Sequence, residues 1–78
     1  MFYTYVLELQ NQDLYVGWTV DLKHRLDIHQ QGGVEATRPN RPVKLIYYEA
    51  CLSREKAILR EKQLKTGYGR AYLKRRLK

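Results

Sequence analysis

Five polar side chains of this sequence could together act on a phosphate ester. They are two phenols, a guanidinium, an imidazole and a carboxylate: Tyr5, Tyr15, Arg25, His29 and Glu61. An arginine binds phosphate through two parallel N–H donors and offsets the negative charge that develops during reaction. A phenol or an imidazole can take a proton from water. One carboxylate can hold Mg²⁺ largely through water and substrate oxygens. The set therefore suits phosphodiester hydrolysis.

Arg25 and His29 lie on the apolar side of a segment whose leucines recur at helical spacing. Successive helix residues turn by about 100°, so these two side chains are neighbours beside Leu22 and Leu26. Each residue alone has an ordinary explanation. Arg25 could extend its charged head into water from the edge of the stripe, and His29 could be a partly buried, hydrogen-bonded histidine. The pair together is less ordinary and indicates a site.

Glu61 occupies an apolar position on a second predicted helix, between Ala57 and Leu64. A carboxylate there must be paired, hydrogen-bonded or metal-bound, because its pKa otherwise rises. The purely structural alternative is a buried ion pair between Arg25 and Glu61. Periodicity leaves both interpretations open.

The two candidate phenols lie on neighbouring predicted strands. Tyr5 and Tyr15 share one face of the sheet if odd-numbered residues pair with odd-numbered ones, and a shift by one residue separates them. Gly17 within the second strand indicates that another group approaches the backbone closely. The sequence does not fix the register.

The elements that must position these residues form a small α/β (α+β) fold in the order ββαβαα. Strands are predicted at 2–9, 14–19 and 43–50, and helices at 22–31, 54–65 and 69–77. Asp21 and Ser53 are the predicted N-caps, Gly67 is predicted to end the second helix, and residues 32–42 form the longest loop. We expect a three-stranded, mostly antiparallel sheet flanked by helices.

The charge of the chain favours a polyanionic partner. Its net charge is +7, and residues 53–78 carry ten Lys/Arg against two Asp/Glu. A solvated basic helix is the ordinary explanation, but this concentration favours nucleic acid, with an anionic membrane ranked lower. The predicted nucleic-acid-binding residues are Lys65, Arg70, Lys74, Arg75 and Arg76, with Tyr68 or Tyr72 as a stacking face.

Length and cysteine content bound the remaining possibilities. Seventy-eight residues predict a single domain spanning 1–78, without room for a second core. A lone cysteine excludes an internal disulfide and a cysteine-rich zinc site. No signal-peptide pattern or membrane-length apolar run is present. We expect a soluble, complete and cytoplasmic protein.

The ordered set of polar residues resembles the GIY-YIG nuclease superfamily. The second signature tripeptide appears as Tyr15-Val16-Gly17, and "YTY" stands for the first, with Tyr5 at its final tyrosine and Tyr3 replacing its glycine. The arginine and the next-turn histidine or tyrosine of the superfamily match Arg25 and His29.

The resemblance continues to about Lys65. The superfamily's metal-binding glutamate matches Glu61 in "AILREKQLK", and "RPVKLIYYE" (41–49) is similar to the third strand of small, free-standing bacterial members. These members are similar to the N-terminal nuclease domain of the bacterial excision-repair endonuclease. Some members have a lysine where this chain has Trp18. Some also have an asparagine well after the glutamate, whereas no asparagine follows Glu61 here.

The resemblance implies an endonuclease that hydrolyses DNA with one divalent metal, Mg²⁺ or Mn²⁺, in repair or recombination. Tyr15 would be the general base or position the attacking water, and Tyr5 would orient water. Arg25 would hold the scissile phosphate and His29 would relay a proton. Glu61 would hold the metal near the leaving oxygen. DNA, branched, nicked or single-stranded, is the implied partner, with a targeting protein as a further one.

Two rival classes remain open. One is a non-catalytic nucleic-acid-binding module on the same fold, which explains the basic C-terminal third but not the convergence of five polar groups. The other is a regulatory protein whose site a partner completes. Only the nuclease predicts loss of an activity when Glu61 is changed.

Overall fold

The computed structural model describes residues 1–77 and confirms the predicted element order ββαβαα. The strands are β1 (Phe2–Glu8), β2 (Leu14–Thr19) and β3 (Lys44–Cys51); the α-helices are α1 (Leu22–Gln30), α2 (Arg54–Leu64) and α3 (Gly67–Arg76). The strands form one sheet in the order β2-β1-β3 with both pairings antiparallel. Among the described residues, none of the helices combines the length and apolar character needed to cross a bilayer.

Both predicted N-caps are confirmed. Asp21 accepts a hydrogen bond from the His24 backbone N–H at 3.0 Å, and Ser53 accepts one from the Lys56 N–H at 3.3 Å. Each cap satisfies a backbone donor that the first helical turn leaves unpaired. The caps thereby fix where α1 and α2 leave the sheet.

The prediction that Gly67 ends the second helix is wrong. Gly67 is the first residue of α3, and Thr66 caps this helix by accepting from the Gly69 N–H at 3.1 Å. The helix therefore begins two residues earlier than predicted. A threonine side chain that can cap determines the boundary here, although glycine at such a position more often ends a helix.

The register of β1 and β2 places the two candidate phenols on one face of the sheet. Tyr5 pairs with Gly17, and Leu7 pairs with Tyr15. Odd-numbered residues of β1 therefore pair with odd-numbered residues of β2. The sequence alone does not decide between this register and one shifted by a residue. On β3 the register shifts by one residue opposite Val6 and Leu7, as in a β-bulge.

Two apolar clusters cover the two faces of β1. On one face, Tyr5 and Leu7 pack with Leu22 and Leu26 of α1. On the other face, Val6 packs with Val16, Leu64 and Leu73, which brings α2 and α3 onto the sheet. The central strand is therefore enclosed, and α1 holds its inward-facing residues directly above Tyr5.

The segment 32–42 folds back beneath the end of α1 and contains a short 3₁₀-helix at Arg38–Asn40. The side-chain amide of Gln30 hydrogen-bonds both backbone groups of Val43, donating to its C=O at 2.6 Å and accepting from its N–H at 3.1 Å. This pair of hydrogen bonds ties the far end of the segment to the helix. The segment thereby brings Thr37, which is fully buried, against the last turn of α1.

Candidate active site

Four of the five predicted catalytic residues lie together where α1 crosses the sheet. Tyr5 projects from β1, Tyr15 from β2, and Arg25 and His29 from α1. The His29 ring meets both phenol rings edge-on, with centroids 5.7 Å from that of Tyr5 and 5.2 Å from that of Tyr15. The four side chains come from three different elements of the fold.

A short hydrogen bond joins the two most deeply buried members of the cluster. The Tyr5 hydroxyl lies 2.8 Å from His29 Nε2, and the two residues are 1% and 0% exposed. Gly17 makes room for this phenol, because a Cβ at that position would lie 2.5 Å from the Tyr5 hydroxyl oxygen. The group that approaches the backbone at Gly17 is therefore the Tyr5 side chain.

The pKa values of the buried pair shift in directions that keep both groups neutral. Burial raises the pKa of the Tyr5 phenol; the neighbouring Arg25 guanidinium opposes this rise, while Tyr15 and Glu61 add to it. Burial also lowers the pKa of the His29 imidazole, and the positive charge of Arg25 lowers it further. At neutral pH a phenol thus faces a neutral imidazole, which can accept its proton.

Arg25 carries a buried donor that the described chain leaves unpaired. Its Nε has no hydrogen-bond partner within residues 1–77. The two ion pairs found in this range join Arg60 to Glu49 and Lys65 to Glu61, so the alternative of a buried Arg25–Glu61 salt bridge is wrong. An unsatisfied buried donor costs about 1–3 kcal/mol, so the Nε of Arg25 has capacity for an acceptor from outside residues 1–77.

Glu61 lies on α2 with its side chain 19% exposed and pairs with Lys65 at 3.4 Å. Its charge acts on the Tyr5 phenol, so it belongs to the electrostatic surroundings of the cluster. Within the described chain, no three His, Cys, Asp or Glu side chains group to hold a metal ion. A single carboxylate nevertheless fits Mg²⁺, which keeps several waters and takes phosphate oxygens from its substrate. A site with several protein ligands, such as structural zinc, does not fit.

The predicted nucleic-acid-binding residues divide into two groups. Lys65 and Arg70 line a cavity of about 130 Å³ together with Tyr15. Arg70 and Lys74 line a more open cavity that Glu8 and Asp13 also border, so its positive charge is partly offset.

Arg76 and Arg75 stand apart from this group. Arg76 acts instead on Glu49, a β3 residue whose pKa it helps to lower. Arg75 is exposed. The structure therefore places Lys65 and Arg70 beside Tyr15, in a cavity on the α2 and α3 side of the sheet, and directs Arg76 toward the opposite edge of the sheet.

Sequence reasoning missed Thr37, the second partner of His29. Its hydroxyl lies 2.9 Å from His29 Nδ1, so both ring nitrogens have partners. The residue lies in a loop that contains glycine and proline, where no periodicity marks a side chain as buried. The one available signal was the histidine itself, since a buried imidazole needs partners for two nitrogens.

This arrangement can bind an anion and move a proton. Arg25 offers an unpaired N–H, and Tyr15 is partly exposed and lines the cavity that also contains Lys65 and Arg70. Tyr5 and His29 form a neutral donor–acceptor pair next to Tyr15. Guanidinium, phenol and imidazole groups in this relation suit a phosphoryl or acyl centre that gains negative charge.

Comparisons with known proteins agree on one family. Residues 1–76 match the family model of the GIY-YIG catalytic domain. A UPF0213 protein of Streptococcus pneumoniae serotype 4 is 45% identical over 64 residues, which are 81% of this chain and 65% of that protein. A UPF0213 protein of Syntrophus aciditrophicus is 42% identical over 65 residues, covering 81% of this chain and 75% of that one. The chain thus spans just under two thirds of the pneumococcal relative.

A solved structure supports the same assignment. The solution NMR structure of a UPF0213 protein from Bacillus halodurans has a TM-score of 0.58 and 31% sequence identity, over 94% of this chain and 82% of that one. The resemblance drawn from the sequence is confirmed: this chain belongs to the GIY-YIG family of nuclease domains.

Proposed function

We propose that this protein is a metal-dependent endonuclease that hydrolyses DNA phosphodiester bonds. The observation that carries the proposal is the buried, unpaired Nε of Arg25 beside two phenols and a neutral imidazole. A phosphate oxygen supplies the acceptor that this donor lacks. Membership of the GIY-YIG family makes a nucleic-acid phosphodiester the natural source of that phosphate.

The exposure of the two phenols suggests different roles. Tyr15 is partly exposed and lines a cavity, so we assign it to the attacking water, as general base or as the group that positions it. Tyr5 has 1% of its surface exposed, which leaves little area for direct contact with water. Tyr5 and His29 then relay a proton behind Tyr15, and Arg25 holds the scissile phosphate.

Glu61 is the residue that would hold the divalent cation, Mg²⁺ or Mn²⁺. A bound cation supplies Lewis-acid stabilisation of the phosphate charge. Glu61 is suited to this task because its side chain remains partly accessible and its present partner is the more exposed Lys65. An exposed ion pair contributes little stability, so exchanging Lys65 for another cation costs the fold little.

Lys65 and Arg70 give the substrate strand a path away from the site. Both line the cavity that contains Tyr15, and Arg70 continues toward Lys74. Such residues contact phosphates without reading bases. We propose that the 1–78 domain acts on DNA in the cytoplasm, in repair or recombination, with a targeting protein selecting the substrate.

Cleavage of labelled single-stranded, nicked, flapped and branched DNA, with Mg²⁺ or Mn²⁺, tests the proposal. Wild-type protein is compared with Glu61→Gln, which keeps the shape of the side chain and removes its charge. Glu35→Gln is the matched control, because it removes an exposed carboxylate from the 32–42 segment. We expect metal-dependent cleavage by wild type and Glu35→Gln, and none by Glu61→Gln.

Circular dichroism and DNA binding complete the experiment. A folded Glu61→Gln that still binds DNA but does not cut it supports the nuclease. DNA binding without cleavage by wild type, in either metal and on every substrate, contradicts the proposal and favours the binding module or a partner-completed site.

A further inference from the structure

A buried chain of hydrogen bonds runs from the candidate site into the 32–42 segment. The Tyr5 hydroxyl lies 2.8 Å from His29 Nε2, and His29 Nδ1 lies 2.9 Å from the Thr37 hydroxyl. Thr37 in turn lies 3.4 Å from the backbone C=O of Val34. The three side chains are each at most 1% exposed, so bulk water cannot readily replace a missing partner.

The proton count gives this chain a direction. Neutral histidine carries one ring proton, on Nδ1 or on Nε2. If Nε2 carried it, the Tyr5 hydroxyl hydrogen would face a donor and would have no other acceptor among the described residues. If Nδ1 carries it, Tyr5 donates to Nε2, and every buried proton between Tyr5 and Thr37 has an acceptor.

The geometry at Thr37 agrees with this direction. The Thr37 hydroxyl oxygen lies 3.4 Å from the Val34 C=O, a group that can only accept. This contact is longer than an ordinary O–H···O hydrogen bond, but it offers the hydroxyl hydrogen a direction away from the imidazole. The hydroxyl oxygen is then free to accept from Nδ1–H. The same Val34 carbonyl accepts from the N–H groups of Thr37 at 3.2 Å and Arg38 at 3.0 Å, which holds the turn that presents Thr37 to the histidine.

We propose that Thr37 is a positioning residue that, together with Tyr5, holds His29 as the Nδ1–H tautomer: Thr37 accepts from Nδ1–H, and Nε2 accepts the proton of Tyr5. The tautomer assignment stands on the hydrogen-bond geometry alone. Its catalytic consequence rests on the proposed function.

Three groups besides Thr37 surround the imidazole of His29. Tyr5 approaches from β1, Tyr15 from β2, and the positive charge of Arg25 acts from α1. The guanidinium disfavours an imidazolium at rest, because like charges oppose one another. The resting histidine is therefore neutral, and the position of its single proton decides which nitrogen can act as a base.

The proton transfer that follows is balanced. Tyr15 takes a proton from the attacking water and passes its own hydroxyl hydrogen to the Tyr5 oxygen, and the hydrogen that Tyr5 already carries passes to His29 Nε2. Both phenols remain neutral and the imidazole becomes imidazolium, with Nδ1–H still donated to Thr37. The reverse path returns the proton and restores the resting state.

¹⁵N NMR of the full chain with labelled histidine tests the tautomer directly, because a protonated ring nitrogen is distinguishable from an unprotonated one. Wild type is compared with Thr37→Val, which removes the hydroxyl and keeps the branched shape, and with Thr37→Ser, which keeps the hydroxyl. The exposed His24 is the internal control. We expect His29 to carry its proton on Nδ1 in wild type and Thr37→Ser, and to show a weaker Nδ1 preference in Thr37→Val, where Tyr5 alone still favours that tautomer.

DNA cleavage supplies the second measurement. Loss of a group that orients a metal-bound histidine typically costs about 10- to 100-fold. By analogy, we expect kcat of Thr37→Val to fall by about that factor with KM little changed. Thr37→Ser should recover the rate.

Different failures identify different errors. Wild-type His29 protonated on Nε2, or Thr37→Val with an unchanged Nδ1–H preference, overturns the assignment of the tautomer to Thr37. An unaltered kcat in an active Thr37→Val overturns its positioning role. If no variant cuts DNA while the NMR result is as expected, the proposed function fails and the tautomer assignment survives.

Discussion

Arg25 has two properties that do not stabilise the fold. Its Nε is buried without a partner among residues 1–77, and its charge lowers the pKa of the adjacent His29. Neither effect stabilises the folded chain. Both suit the role proposed for Arg25, which is to hold a phosphate beside a neutral imidazole.

Arg25→Met should therefore separate stability from activity. Methionine keeps much of the apolar stem and removes the unpaired donor, so we expect urea denaturation to show stability equal to or above that of wild type. DNA cleavage should fall by a factor of about 100 or more, because the donor proposed for the scissile phosphate is lost.

Lys23→Met is the matched control for that change. Lys23 lies on the same helix and is exposed to solvent. Arg25 is partly buried, and its Nε is fully buried. A surface substitution of this kind changes stability by about 0.5 kcal/mol or less. Clear destabilisation by Arg25→Met alone would show that the guanidinium has a structural partner and would weaken its assignment to the phosphate.

The sequence predicted the placement of residues within one element better than contacts between elements. Helical spacing correctly placed Arg25 and His29 on the inner side of α1, because adjacent positions on a helix are set by its geometry. It could not supply Thr37, which reaches His29 through the path of an irregular segment. Nor could it decide whether Arg25 pairs with Glu61, since that depends on how α1 and α2 are placed.

At the scale of elements, α3 is the link between the basic end of the chain and the candidate site. Leu73 is fully buried against the sheet. Gly69 allows the helix to approach α2, because a Cβ there would overlap the Leu64 backbone and the Gln63 carbonyl oxygen. This fixed docking directs Arg70 toward the cavity beside Tyr15.

Removing two charges from that side of α3 should weaken DNA binding uniformly across sequences. We expect Arg70→Gln with Lys74→Gln to reduce the slope of log affinity against log salt by about 1 for each phosphate that the protein no longer neutralises. Fluorescence anisotropy with several unrelated oligonucleotides at a series of salt concentrations measures this slope.

The double change Arg75→Gln with Arg76→Gln removes the same formal charge from other positions of the helix. Arg76 is engaged electrostatically with Glu49, so we expect a smaller change in slope. Equal slopes for the two double variants would indicate that the basic helix binds diffusely, with no path past Tyr15.

At the scale of the whole molecule, a polar cluster ties the C-terminal helices to β3. Arg60 Nη2 lies 2.9 Å from the Glu49 carboxylate, whose other partner is the Tyr47 hydroxyl at 2.6 Å. The Arg60 guanidinium also lies over the Tyr72 ring at 4.8 Å. The cluster therefore joins β3, α2 and α3 on the side of the sheet away from α1.

This cluster should make folding stability sensitive to acid. Burial alone would raise the pKa of the Glu49 carboxyl, but hydrogen bonds from Arg60 and Tyr47 and the charges of Arg60 and Arg76 outweigh it and lower the value below 4.5. The unfolded chain then takes up a proton at a higher pH than the folded chain does. The contribution is complete above about pH 4.5 and is lost as the pH falls through the lower, folded value.

Urea denaturation from pH 7 to pH 3 measures that contribution. The pair is about one-third exposed, so we expect Glu49→Gln to lose on the order of 1 kcal/mol at neutral pH and to decline less than wild type in acid. Parallel declines of the two proteins would contradict a role for Glu49. Glu55, whose pKa is also lowered, contributes to the background in both.

The fold as a whole was predictable because the local patterns agree with it. Aromatic and β-branched residues marked β1 and β2, and caps marked α1 and α2, so the element order followed. The docking of α3 was not predictable in the same way. Gly69 allows it through close contact with α2, whereas a glycine in a sequence usually indicates the end of a helix.

The central position of β1 has a consequence for how the chain reaches this structure. β1 is the first strand in the chain, yet one of its two neighbours, β3, begins 36 residues after β1 ends, at Lys44. During synthesis, one edge of β1, a strand rich in tyrosine and β-branched residues, stays unpaired until β3 has been made. Open edges of this composition invite pairing between chains. We therefore expect pairing between nascent chains, where it occurs, to begin at this open edge of β1.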